Sequence, residues 1–202
     1  MIKIEPPKYG ELARLSAPFC GPPEYLMGSY VVAFCRNRKS VTLDLYTDQG
    51  KEALHDLVKI SDIIFDNYRL GVLERIGADW ETVRKLNPRI ISCTVTGFGS
   101  SGPYAGRMSY NDIAEGLTGI WSLCGEEGGN PVKPPISSAD LSGGIFASIG
   151  MLAALHERDH TGKGRRVEIN LLDTCMTLLT FPYTAYFLSG RCLYLMAEEI
   201  PP

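Results

Sequence analysis

The sequence predicts an α/β protein: an open, mainly parallel, Rossmann-like sheet with helices on both faces. Short runs rich in β-branched residues alternate with helical stretches of roughly ten residues or more, the order that parallel strands joined by crossover helices require. The 202 residues are 45% hydrophobic and 21% charged, enough apolar mass for one domain with a true core. Polar and glycine-rich segments follow the strands, where open α/β sheets place their ligands.

Residues 1–5 read as an apolar strand ending at Pro6-Pro7, and residues 40–45 alternate as a second. Thr47 is placed to cap the next helix, on which Ala53, Leu54, Leu57 and Val58 recur at the spacing of one buried face, and Ser61-Asp62 closes it. Residues 63–65 form a short strand whose polar end, Asp66-Asn67, opens a candidate ligand loop. A short helix over 72–76 follows. Asp79 caps a helix over 80–86, with Glu81 in its favourable first turn, and Asn87-Pro88 stops it. Residues 89–95 are strand again, leading into the glycine-rich loop 96–103, which can approach a ligand closely or turn sharply.

Helices are expected over 112–123 and 141–156, separated by the polar loop 125–135. Thr161-Gly162-Lys163-Gly164 turns the chain into a last strand over 166–172. Asp173 then caps a final helix to about residue 188, which Gly190 ends. The five strands are expected to join one sheet. No internal repeat or low-complexity segment is present.

A net charge of -3 and a pI near 5.7 give no bulk attraction to nucleic acid or acidic lipid, so the expected partner is a small molecule. No uninterrupted apolar run reaches the roughly 18 residues that span a bilayer, and residues 1–15 lack the apolar core of a secretory signal. The expectation is an intracellular, cytoplasmic protein with neither a nucleic-acid nor a membrane partner. Cys20, Cys35, Cys93, Cys124, Cys175 and Cys192 form no C-x-x-C pair and no zinc pattern with histidine, so they read as buried thiols and no metal is expected. His55, His156 and His160 fall on helices or their ends and read as structural, and Arg36, Arg38 and Lys39 as a solvated edge.

Several segments together resemble a known family. Asp66-Asn67-Tyr68-Arg69-Leu70-Gly71-Val72-Leu73-Glu74-Arg75-Ile76-Gly77 is similar to E-N-F-R-P-G-V-L-D-R-L-G, and Leu86-Asn87-Pro88-Arg89-Ile90-Ile91 to L-N-P-R-L-I. Thr96-Gly97-Phe98-Gly99 with Gly102-Pro103-Tyr104 resembles S-G-F-G-x-x-G-P-Y, and Thr161-Gly162-Lys163-Gly164 leading to Leu171-Leu172-Asp173 resembles T-G-x-G…L-L-D. In order and at matching spacing, these are motifs of the family III (CaiB/BaiF) CoA-transferases, which include formyl-CoA and carnitine CoA-transferases and the related α-methylacyl-CoA racemases. The resemblance implies that residues 1–202 are the central part of the family's large domain. On that reading the family's first strand and helix and its C-terminal small domain are not in this chain, and an organellar leader is left open.

What the resemblance implies for chemistry is a CoA transfer between an acyl-CoA donor and a carboxylic acid, with Asp140 as nucleophile and Ser138, Ala139, Gly143 and Gly144 leaving room for its acyl intermediates. On position alone, Asp140 is simply an N-cap for the helix over 141–156; a helix N-terminus would also hold its carboxylate ionised. Coenzyme A enters as substrate, with no permanently bound cofactor. The resemblance carries its binding to Asn67, Tyr68 and Arg75, with backbone around Leu43 near the adenine, although Tyr46 stands where relatives have a lysine. It further implies an intertwined homodimer. The racemase branch has a histidine where this chain has Tyr110, which favours transferase. A racemase-like enzyme and a non-catalytic CoA-binding subunit are the alternatives within the resemblance. An NAD-dependent oxidoreductase would need a G-x-G-x-x-G between strand and helix that this sequence lacks.

Overall fold

The structure, a computed structural model, describes residues 1–126 and 129–190. Gly128 of the polar loop and the thiol of Cys192 therefore lie outside the described residues. β1 (Ile2–Glu5) leads into a segment the periodicities did not parse, because its elements are too short to show a repeat. That segment holds 3-10 turns at Leu12–Leu15 and Pro23–Tyr25, a small antiparallel pair of β2 (Phe19–Cys20) and β3 (Met27–Gly28), and α1 (Ser29–Phe34). β4 (Lys39–Thr42) then runs parallel to β1, Ile4 beside Val41.

α2 (Asp48–Lys59) starts where Thr47 accepts the Gly50 N–H at 3.1 Å, and it buries Leu54 and Val58 on its inner face. β5 (Ile63–Asp66) follows, then α3 (Val72–Ile76) and α4 (Trp80–Leu86), the last capped as expected by Asp79 on the Thr82 N–H at 3.1 Å. β6 (Ile91–Thr96) is the most buried strand. It lies between β5 and β7 (Arg166–Asn170), parallel to both.

Every long pairing is parallel, but the five strands hydrogen-bond as two sheets, β1–β4 and β5–β6–β7, rather than one. Ile4 of β1 and Ile64 of β5 nonetheless pack on one apolar cluster with Leu54, Val58, Ile76, Val83 and Ile90. The sheets are thus joined through side chains, not backbone. A second cluster covers the other face of β6 and β7: Cys93 and Val95 meet Ala114, Ala139, Ala147, Leu171 and Cys175, with Val167 and Ile169 at the edge. Helices therefore cover both faces of the β5–β6–β7 sheet.

α5 (Asn111–Thr118) is shorter than the expected 112–123 helix, because Gly119 adopts a left-handed φ of 77° and only a 3-10 turn, Ile120–Leu123, follows. α6 (Ser138–Thr161) extends beyond the expected 141–156 at both ends. By length and composition α6 could cross a membrane; 33% of its apolar window is buried inside the protein, where Ala139, Gly143 and Ala147 pack toward β6 and β7. The final helix is two: α7 (Leu171–Leu178) and α8 (Thr180–Ser189). Pro182, with no N–H to give back toward Leu178, separates them. Asn170, not Asp173, caps α7, its Oδ1 accepting the Asp173 N–H at 2.8 Å. Of the thiols, Cys93 and Cys175 are buried as expected, Cys35 and Cys124 are half-buried, and Cys20 is exposed because it lies in the short β2–β3 ribbon outside both cores.

Candidate active site

The C-terminal ends of β5, β6 and β7 lie together by register. Asp66 at the end of β5 accepts the Thr94 hydroxyl of β6 at 2.8 Å and the Tyr68 N–H at 3.0 Å, which turns the chain at Asn67. Burial raises the Asp66 pKa, opposed by these two hydrogen bonds. Beyond β6, Thr96 accepts the Gly99 N–H at 2.9 Å, and Ser100 donates its amide and, at 2.8 Å, its hydroxyl to Glu168 of β7. A Cβ on Gly97 would fall 2.1 Å from Ser109 Cβ, so glycine is what lets the loop fold back on itself. The Gly97 carbonyl accepts the Leu172 N–H at 3.1 Å, tying this loop to the start of α7.

α6 enters over the same end of the sheet. Its Gly143 lies so close to Val95 of β6 and Leu171 of α7 that an added Cβ would meet them at 3.6 and 2.7 Å. Asp140 is three residues before it, in the first turn and not at the N-cap, which is Ser137. Two side chains of α5 bind that turn. Glu115 Oε1 accepts the Ser138 N–H at 2.7 Å, and Asn111 Oδ1 accepts the Ala139 and Asp140 N–H groups at 3.1 and 3.3 Å. With its first amides already satisfied, α6 does not need Asp140 as a cap.

Asp140 is exposed, yet enough protein surrounds its carboxyl that desolvation raises its pKa, and the Glu115 and Asp112 carboxylates add to the rise. The expectation was that the helix terminus would favour ionisation; partial burial and two nearby carboxylates act in the opposite direction. The expected room is also narrower. Ser138 and Ala139 are buried beneath α5 and Gly143 is filled by packing, which leaves Gly144, with nothing within 4 Å of its Cβ direction, as the open position.

Of the residues assigned to CoA, Asn67, Tyr68 and Arg75 are exposed around α3, and Arg75 Nε donates to the Gly71 carbonyl at 3.0 Å. Leu43 is half-buried past β4, its amide donating to the Glu5 carbonyl at 3.1 Å. The two groups belong to different sheets. The Tyr68 pKa is raised by desolvation and, after that, by Tyr46, Asp66 and Glu11. A small cavity of about 70 Å³ opens beside α3, between the loop after β5 and the strands β6 and β7, lined in part by Tyr68, Gly71, Glu74, Thr94 and Arg166. It is well below the roughly 300 Å³ of an enclosed small-molecule site, so a nucleotide would lie over this surface rather than within it. A wider hollow of about 400 Å³ lies by Thr161, Lys163 and Arg165, where α6 ends and β7 begins, and shares Trp80 and Arg166 with the smaller cavity.

Glu115 and Asn111 were not singled out from sequence. Their signal was weak: two polar residues four apart on a helix whose other inward residues, Ala114 and Thr118, are small. His55 Nε2 donates to the Gly77 carbonyl at 2.8 Å, and His156 and His160 meet edge to face along α6, a structural use in each case. Among the described residues, no group of three side chains is arranged to hold a metal ion.

Residues 1–195 match the family model for CoA-transferase family III. The chain is 34% identical over 198 residues to a succinate–glutarate CoA-transferase of Agrobacterium fabrum, covering 95% of this chain and 48% of that protein. It is also 34% identical over 191 residues to a succinyl-CoA:glutarate CoA-transferase of Mus musculus, covering 95% of this chain and 43% of that one. The crystal structure of a CaiB/BaiF family protein from Brucella suis superposes with a TM-score of 0.91 at 34% identity, over 95% of this chain and 50% of the other. The chain thus spans about half the length of the curated relatives it matches.

Proposed function

The chain belongs to CoA-transferase family III, and from that premise we propose that it carries the nucleophile of a CoA transfer, Asp140, with coenzyme A lying across Leu43, Asn67, Tyr68 and Arg75. The observation that carries the reading is the setting of Asp140. It is an exposed carboxylate relieved of capping by Asn111 and Glu115, above the C-terminal end of β6, with open space beside Gly144. A raised pKa also suits the role, since a more basic carboxylate is a better nucleophile once ionised.

The Asp140 carboxylate attacks the thioester carbonyl, the C–S bond breaks, and CoA leaves as thiolate from a mixed anhydride. The thiolate attacks the aspartyl carbonyl of that anhydride, releasing the donor acid and leaving an aspartyl-CoA thioester. The acceptor carboxylate then repeats the attack, and the returning thiolate takes up the new acyl group and frees Asp140. Arg75, with its planar fork, suits a phosphate of CoA. The partners are an acyl-CoA and a small carboxylic acid. A second copy of the chain is supported by the outer face of α6, where Leu141, Ile145, Ile149 and Leu152 form an exposed apolar stripe.

Incubation with succinyl-CoA is expected to leave an acyl or CoA adduct on the peptide containing Ala139-Asp140-Leu141, seen by mass spectrometry and removed by hydroxylamine. Asp140→Asn, which keeps side-chain volume, abolishes adduct and transfer while the fold survives. A folded Asp140→Asn protein that still transfers CoA would refute the assignment. Exchange of the α-proton of a 2-methylacyl-CoA with solvent, needing no acceptor acid, would mark a racemase instead.

A further inference from the structure

Glu115 is fully buried. Its carboxylate receives two N–H groups, Ser138 N–H on Oε1 at 2.7 Å and the Trp121 indole N–H on Oε2 at 3.1 Å, in a layer otherwise built of Ala114, Ala139, Ala147 and Cys175. A buried carboxylate is costly, and helix capping alone does not call for one. On the same helix Asn111 satisfies the next two amides of α6 with a neutral oxygen.

We infer that Glu115 is a positioning residue for Asp140: its carboxylate, itself held by the Trp121 indole N–H, fixes the first turn of α6 through the Ser138 amide, two residues before Asp140. The inference rests on Asp140 being the nucleophile. It deepens that reading, because the same contact that aims the carboxylate also makes it more basic. The groups around Asp140 are consistent with this. From α5 come Glu115 and Asp112, and Asp112 is partly neutralised by Lys133 at 2.7 Å from the loop before α6. After desolvation, Glu115 is the largest influence raising the Asp140 pKa, ahead of Asp112.

The test is an NMR titration of protein labelled with carboxyl-13C aspartate, the Asp140 signal being identified by its loss in Asp140→Asn. Glu115→Gln, which keeps size and one acceptor oxygen, is expected to move the Asp140 midpoint to lower pH, and to move it further than Asp112→Asn does. An unchanged midpoint in folded Glu115→Gln overturns the inference. If that variant fails to fold, the wild type still decides. The Ser138 amide proton is expected far downfield and slow to exchange, and exchange at the rate of an unstructured amide overturns the clamp. The titration needs no acyl-CoA, so the two readings separate. An Asp140 that shifts as described but takes up no acyl group supports the Glu115 coupling and refutes the nucleophile.

Discussion

Replacing Glu5 by glutamine tests how the first sheet is held. Glu5 ends β1 with 3% of its surface exposed, and its carboxylate accepts Arg14 Nε and Nη2, both at 2.7 Å, the Ser40 hydroxyl at 2.8 Å and the Glu11 N–H at 3.0 Å. The Arg14 hydrogen bonds, with those of Ser40 and Glu11, outweigh desolvation and bring its pKa from 4.5 down to about 2. At about 1.36 kcal/mol per pH unit that is at most about 3.4 kcal/mol. Because the Arg14 side chain is 39% exposed, solvent screening reduces the expected loss in Glu5→Gln to about 2–3 kcal/mol. The folded pKa lies below the unfolded one, so the contribution is complete above about pH 4.5 and is lost as pH falls through about 2. Urea denaturation of wild type and variant, followed by circular dichroism from pH 7 to pH 2, reads this directly. A stability gap that is constant with pH, or below about 0.5 kcal/mol at neutral pH where exposed pairs typically fall, would refute the account of Glu5 as an ionised anchor.

Four further outcomes are expected. Asp66 has the opposite sign, its folded pKa raised chiefly by burial, so it weakens the fold increasingly as pH rises through that pKa. Asp66→Asn should therefore gain stability relative to wild type with rising pH in the same denaturation series. Gly144→Ala should be tolerated and stabilise α6 by up to about 1 kcal/mol, since its Cβ meets nothing within 4 Å. Gly164→Ala should cost about 3 kcal/mol or more by thermal unfolding, because its Cβ would fall 1.8 Å from the Ile90 carbonyl oxygen, a backbone atom that cannot step aside. Transfer activity should fall away on the acid side at a pH above that of an ordinary aspartate, because Asp140 acts as its carboxylate and its pKa is raised; a pH–rate profile checks this.

Much of the architecture was legible in the sequence because it depends on short-range chemistry. Thr47 and Asp79 cap the helices they were expected to cap, the 72–76 helix lies where the spacing put it, and the long strand pairings are parallel as alternation with helices demands. The family motifs, and the candidate nucleophile they carry, were likewise readable as strings of residues. What depends on distant partners was not. Whether α6 begins at Ser138 or Leu141 is decided by Asn111 and Glu115, more than twenty residues away in sequence, which accept the amides of Ser138, Ala139 and Asp140 and so let the helix start before Asp140. Which of Gly143 and Gly144 is packing and which is space depends on Leu171 and Val95 arriving from other elements. The division of the strands into two sheets is a matter of which backbone edges come within hydrogen-bonding distance. The basicity of Asp140 is decided in the same way, since a pKa responds to every charge brought near in space and a sequence lists only those near along the chain.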